Sequence, residues 1–199
     1  MMGSDPHNPT AASTNPGLYV LAARDIFRNL RNHPLGSSMR VMLSCFEIYG
    51  GKLFDLMNDR LVVKCLEDAK QRVQIVGLSE HCVRDVNEIL QAMTRAHELR
   101  STGSTGANME SSRSHQVLQI QIQVDSVGAN KKKISRSYGK LSFIDLAGSE
   151  RGADTTHNNK QTRMEGAEIN TSLLALKEVI RSLERKHGHT PFRGSKLTQ

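Results

Sequence analysis

Apolar and polar residues change spacing several times along this chain, and each change marks a predicted element. From Leu18 the stretch LYVLAARDIFRNL places Leu18, Leu21, Ile26 and Leu30 near one helical face, and Pro34 closes it. MRVMLSCFEIYGG is apolar at both parities, with Val41, Leu43 and Cys45 alternating with Met42, Phe46 and Ile48. A strand buried on both faces of a helix-flanked sheet has that pattern. LVVKC and RVQIV, joined by a polar link, predict a small hairpin. In DVNEILQAMTRAHEL, Asp85 and Glu88 have capping-box spacing, and Val86, Ile89, Leu90, Met93 and Ala96 line one side of a second helix.

A Gly/Ser/Thr-rich loop, STGSTGANMESSRSH, comes next. LQIQIQVD then alternates strictly, with Leu118, Ile120, Ile122 and Val124 on one face of a half-buried strand. After a basic turn, NKKKISRS, the run KLSFIDLAGSE reads as a central strand that ends at Asp145. A long helix is predicted from about Ala167 to Arg185, with Ile169, Leu173, Leu176, Ile180 and Leu183 at helical steps. Residues 1–16 are nearly devoid of apolar side chains and carry three of the five prolines, so they read as a loop or tail. No internal repeat is visible. Strands alternating with helices give an α/β class.

Composition narrows the function classes. The chain has 199 residues, 37% hydrophobic and 24% charged, enough for the core of one domain and too apolar for a disordered polyelectrolyte. Cys45, Cys65 and Cys82 are too few and too scattered for a disulfide framework or a metal site, and fit small core residues of a reduced compartment. No apolar run reaches the length of a signal peptide or a membrane span. Lys+Arg 27 against Asp+Glu 20 gives +7, which favours an acidic partner. Nucleic-acid binder, nucleotide-driven enzyme and scaffold all stay open at this point.

Two segments carry candidate chemistry. FIDLAGSE delivers an Asp at a strand's carboxyl end and a Gly three residues later. Such a carboxylate can hold Mg²⁺ through water, and a glycine lets its backbone N–H approach a terminal phosphate. A plain strand-terminating turn would use the same residues. NMESSRSH concentrates Ser111, Ser112 and Ser114 beside Arg113 and His115 at the end of the flexible loop. Its hydroxyls could replace a water on Mg²⁺ or relay a proton, and Arg113 could pair with a carboxylate such as Glu150. A solvated Ser-rich turn is the bland alternative.

NMESSRSH and DLAGSE resemble the first and second switches of the kinesin motor domain, in order and in spacing. EGAEINTSLLALKEVIRSL and HTPFRGSKLTQ agree as well, so the resemblance runs from about Gly17 to Gln199. It implies a partial three-layer fold of the phosphate-loop NTPase type, a central mixed sheet flanked by helices. RGADTTHNNKQTRMEGAEIN, followed by Lys177-Glu178, looks most like the internal-motor class, whose members depolymerise microtubule ends. Two positions depart from that class: Val179 stands where it usually has Cys, and Ser149 where its second switch often has Asn.

The resemblance implies a set of roles. Ser112 would approach Mg²⁺, Ser111 would position or deprotonate the attacking water, and Asp145 would hold Mg²⁺ through water. The Gly148 amide would sense the γ-phosphate, Arg113 and Glu150 would pair when the switches close, and Asn108 would shape the first switch. Asn170 would tie the second switch to the long helix. ATP with Mg²⁺ is thereby implied as substrate. No Gly-x-x-x-x-Gly-Lys-Ser/Thr loop occurs, so the chain reads as a head segment beginning just after that loop, stopping before the head ends, and inactive alone.

Tubulin is the implied acidic partner, with a cytoplasmic place on the microtubule cytoskeleton, in a spindle or a flagellum. Lys177, Glu178, Arg181, His189, Arg193 and Lys196, on the last helix and the loop after it, would face it. The lysine triplet Lys131–Lys133 reads as solvated charge in a turn. A nucleic-acid-binding module is the rival from charge alone, and it lacks interleaved aromatics and any known motif. A non-catalytic tubulin-binding remnant is the nearer rival. Dimerisation is expected only through segments outside the head.

Overall fold

The computed structural model describes residues 17–102, 113–127, 133–149, 160–185 and 189–199. The predicted tail and the lysine triplet's turn, apart from Lys133, lie outside them. Among the described residues the elements run α1 (Leu18–Asn32), β1 (Met39–Tyr49), β2 (Lys52–Asp55), β3 (Leu61–Glu67), β4 (Val73–Val76) and β5 (His81–Val83). They continue with α2 (Val86–Thr102), β6 (His115–Val127), β7 (Lys133–Asp145) and α3 (Lys160–Glu184). One sheet has the order β4-β3-β2-β1-β6-β7, with β5 also paired to β1. Each ladder between described strands is antiparallel.

β1 is the hub, and its two apolar parities explain why. Val41, Leu43 and Cys45 pair with Ile122, Ile120 and Leu118 of β6, and these side chains face α1 and α2. Tyr19, Ala23, Ile89, Met93 and Ala96 close that core from the helices. Phe46 and Ile48 point to the opposite face, where Leu53, Val63, Val117 and Leu197 meet them. Fully buried side chains such as Leu43 and Leu118 each contribute about 1.5–3 kcal/mol through removal from water.

The first helix forms where expected, with Ile26 and Leu30 packed on the core as predicted and Leu18 and Leu21 turned outward. Tyr19 and Ala23 are buried, with Ile26, Phe27 and Leu30 packed behind them, while Leu18 and Leu21 are exposed. The spacing 19, 23, 26, 27, 30 follows the 3.6-residue period more closely than the sequence reading did. Tyr19 anchors it, meeting the Phe143 ring edge-on at 5.0 Å. α2 begins at its expected cap: Asp85 Oδ1 accepts the Glu88 N–H at 2.9 Å, and Glu88 Oε2 accepts the Arg84 N–H at 2.8 Å.

Four expectations need correction. β7 starts at Lys133, so the segment read as a basic turn is largely strand. β7 is also an edge, not a central strand, among the described residues, and Leu141 and Ile144 are exposed on it. α3 starts at Lys160, and it buries Ile169, Ser172, Val179 and Ser182 while Ile180 and Leu183 stay exposed. Of the cysteines only Cys45 is a core residue; Cys65 is half-buried and Cys82 exposed.

β2 and β5 escaped the sequence reading. Tyr49 pairs with Lys52 across Gly50 and Gly51, whose φ values of 57° and 67° belong to a tight hairpin turn that glycine adopts without strain. Asp55, fully buried at the end of β2, accepts the Met57 and Ser79 N–H groups at 2.8 and 2.7 Å.

Candidate functional site at the switch end of the sheet

β6 begins at His115, β7 ends at Asp145, and their register sets Gln116 opposite Asp145. The described parts of the two candidate segments, residues 113–115 and 145–149, therefore lie at one end of the sheet. Strand alternation then divides their side chains: Gln116 points to the α2 side and His115 to the α3 side.

On the α2 side the organising group is Arg100, in the last turn of α2 and only 3% exposed. Its Nε donates to Ser114 Oγ at 3.0 Å, its Nη2 to the Ser114 carbonyl at 2.8 Å. Its Nη1 donates to Gln116 Oε1 and to Asp145 Oδ2, both at 3.0 Å. Gln116 passes the order inward, donating from Nε2 to Cys45 Sγ at 3.3 Å. A cation at a helix C-terminus is also favoured by the helix dipole. Burial, followed by the Asp145 charge, pushes the Tyr19 hydroxyl up to about 12. Burial likewise pushes the Cys45 thiol up to about 12, so it is neutral and inert.

On the α3 side two links leave the start of β6. Arg113 Nη1 lies 3.3 Å from Glu165 Oε2, and the Tyr49 hydroxyl donates to Glu165 Oε1 at 2.8 Å. His115 accepts the Ala147 N–H at Nδ1 (3.0 Å), and its Nε2 lies 2.8 Å from Ser172 Oγ. Burial, then the Arg100 charge, lowers the His115 pKa. A cavity of about 180 Å³ opens beside these links, lined among others by Tyr49, Arg113, His115, Glu165, Ser172 and Lys196.

The expected site residues fall into three groups. Asp145 sits at the strand end with its side chain 44% exposed, and half-buried Gly148 follows it. Arg113, expected to face Glu150, is paired with Glu165. Asn108, Ser111, Ser112 and Glu150 lie outside the described residues. Among the described residues there is no group of three or more metal-ligating side chains. A single half-exposed carboxylate at a strand end fits Mg²⁺ held through water, because that ion keeps several waters and takes its remaining oxygens from phosphates.

The outer side of α3 and the terminal loop carry the predicted partner residues. Lys177, Glu178 and Arg181 are exposed, Arg181 Nη1 standing 3.2 Å from Glu178 Oε1. Arg193 Nη2 reaches both Glu67 oxygens, at 2.7 and 3.0 Å, and Lys196 Nζ donates to Gln199 Oε1 at 2.9 Å. Ser182 Oγ donates to the His189 carbonyl at 3.1 Å, fastening the terminal loop to α3. Asn170 is exposed on α3.

Arg100, Glu165 and Ser172 were not singled out in the sequence. A cation in the last turn of a helix, directly before the Ser-rich loop, was the available signal for Arg100. Glu165 and Ser172 are visible only once the helix is placed against β6.

The kinesin motor domain model matches residues 1–199. Over 182 residues, 92% of this chain, the sequence is 57% identical to Kinesin-like protein KIN-13B of Arabidopsis thaliana. Over 185 residues, 93% of the chain, it is 54% identical to human Kinesin-like protein KIF24. The chain spans 26% and 13% of the lengths of these two relatives. A solved structure of a fast kinesin covers the whole chain with a TM-score of 0.76 at 32% identity, the match taking in 54% of that structure's chain. The described parts of the two switch-like segments at one sheet end, the sequence relatives and the shared fold agree: the chain belongs to the kinesin motor domain family.

Proposed function

We propose that this chain is the nucleotide-sensing and microtubule-facing part of an ATP-driven motor that depolymerises microtubule ends. One observation carries the reading. The start of β6 and the end of β7 lie side by side, and His115 of β6 bonds both Ala147 after β7 and Ser172 of α3, whose outer side presents Lys177 and Arg181. A change at the phosphates thus has a path to a cationic surface.

The roles are those that the family resemblance implies. Asp145, held from inside by Arg100 and half-exposed, would hold Mg²⁺ through water, with Ser112 as a further ligand. The Gly148 amide meets the γ-phosphate, Ser111 orients the attacking water, and Asn108 shapes the first switch. Arg113, 3.3 Å from Glu165 here, would pair with Glu150 when the switches close. Phosphoryl transfer to water needs this positioning and no protein nucleophile. Tubulin is the acidic partner of Lys177, Glu178, Arg181, His189, Arg193 and Lys196. Depolymerising activity is supported by the internal-motor resemblance of the segment around Glu165.

The test uses the full-length protein: ATP hydrolysis with and without microtubules, and shortening of stabilised microtubules. Microtubule-stimulated hydrolysis with end shortening supports the reading. Hydrolysis with unchanged microtubule length removes the depolymerising part, and binding without turnover favours the non-catalytic remnant.

A further inference from the structure

The hydrogen bonds at His115 leave its imidazole one protonation state. A backbone N–H can only donate, so the Ala147 N–H makes Nδ1 an acceptor. Nε2 therefore carries the ring proton and donates it to Ser172 Oγ at 2.8 Å. Ser172 in turn donates its hydroxyl proton to the Ile169 carbonyl at 2.7 Å. The result is a directed chain: Ala147 N–H to His115, His115 to Ser172, Ser172 to the α3 backbone. His115, Ser172 and Ala147 are 3%, 7% and 5% exposed, so water does not compete for these bonds.

We propose that His115 is a positioning residue, a buried strut that makes the segment behind Asp145 and helix α3 move together. It differs in kind from the neighbouring Arg113–Glu165 pair. That pair is longer and partly exposed, with Arg113 at 23%, so its partners can be exchanged. The strut is short, neutral and dry, and its two bonds leave opposite sides of a rigid ring. A displacement of the Gly148 amide pulls on Ala147 next to it, hence on Ser172, which lies on the same helix as Lys177 and Arg181. The inference rests on the reading that Gly148 senses nucleotide.

Two variants cut the same His115–Ser172 bond, one from each end. His115→Asn keeps an acceptor near Nδ1 but falls short of Ser172, and Ser172→Ala removes the second acceptor while leaving His115 intact. In the full-length protein, hydrogen–deuterium exchange is compared with Mg·ADP and with a non-hydrolysable Mg·ATP analogue. Wild type is expected to show a nucleotide-dependent difference both in the segment following Asp145 and in α3. In each variant the first difference should persist, and the α3 difference should shrink at least about fivefold, the worth of one buried hydrogen bond. Undiminished α3 differences in both variants would overturn the strut. A wild type with no difference in either segment would overturn the nucleotide-sensing reading instead. The ¹⁵N spectrum of the imidazole tests the strut without nucleotide: an Nε2–H tautomer is required, and an Nδ1–H tautomer contradicts it.

Discussion

Arg100 Nη1 lies 3.0 Å from Asp145 Oδ2, joining the last turn of α2 to the last residue of β7. One partner is buried and the other is 44% exposed, so the two halves of the pair should respond differently to substitution. Arg100→Met removes a guanidinium that also serves Ser114 and Gln116, leaving a buried carbonyl and amide oxygen short of donors. It is expected to cost about 2–4 kcal/mol. Asp145→Asn keeps an oxygen acceptor for Arg100 and should cost roughly 1 kcal/mol. Urea unfolding of both variants checks the order; equal losses would contradict it.

His115 should make stability pH-dependent. In the unfolded chain its imidazole takes up a proton near pH 6.5 (about 6.5 for an unperturbed His). Folded, burial and the Arg100 charge hold its pKa lower. Below the unfolded value the unfolded state binds more protons, so stability falls as the pH drops through that window. Thermal melts between pH 7.5 and 5 should show this slope, and His115→Asn should flatten it. An unchanged slope would assign the dependence to other groups.

The cysteines should react in the order of their exposure. Cys82 is exposed, while Cys45 is fully buried with its thiol pushed up to about 12. Under native conditions a maleimide should label Cys82 quickly and Cys45 only after denaturation. Mass spectrometry of the labelled peptides reads this directly, and fast labelling of Cys45 would mean that the α1–α2 core opens readily.

On the partner surface the cations should not be equivalent. Arg193 is held by both oxygens of Glu67, and Arg181 is shared with Glu178, whereas Lys177 is exposed on α3 beside them. Lys177→Glu should weaken microtubule co-sedimentation of the full-length protein more than Arg193→Ala does. The difference should shrink as salt rises. Co-sedimentation unchanged by Lys177→Glu at every salt concentration would remove Lys177 from the contact.

How much of this was legible beforehand depended on the kind of signal. β1, the β3–β4 hairpin, α2 and the alternating part of β6 follow from side-chain period, because burial on one or two faces writes itself into the sequence. Only the second half of the inward face of α1 follows from the pattern: Ile26 and Leu30 pack, but Leu18 and Leu21 look like core residues while Tyr19 and Ala23 take their place. α3 was misread for a related reason: it turns Ser172 and Ser182 inward, where they hydrogen-bond, and leaves Ile180 and Leu183 outside. Asp145 and Arg113 were legible as chemistry. Their partners Arg100 and Glu165 were not, since 45 and 52 residues separate each pair and only the register of β6 with β7 and the docking of α3 join them.

The central claim is that the sheet end holding Asp145 responds to ATP and that α3 delivers the response to microtubules. Steady-state ATP hydrolysis by the full-length protein, with and without microtubules, tests it most directly, for wild type and for Asp145→Asn. Microtubules should accelerate the wild type, and Asp145→Asn should lower the stimulated rate by about 10²–10³, as for loss of a charge-stabilising group. Hydrolysis indifferent to microtubules, or a full rate in Asp145→Asn, would contradict it.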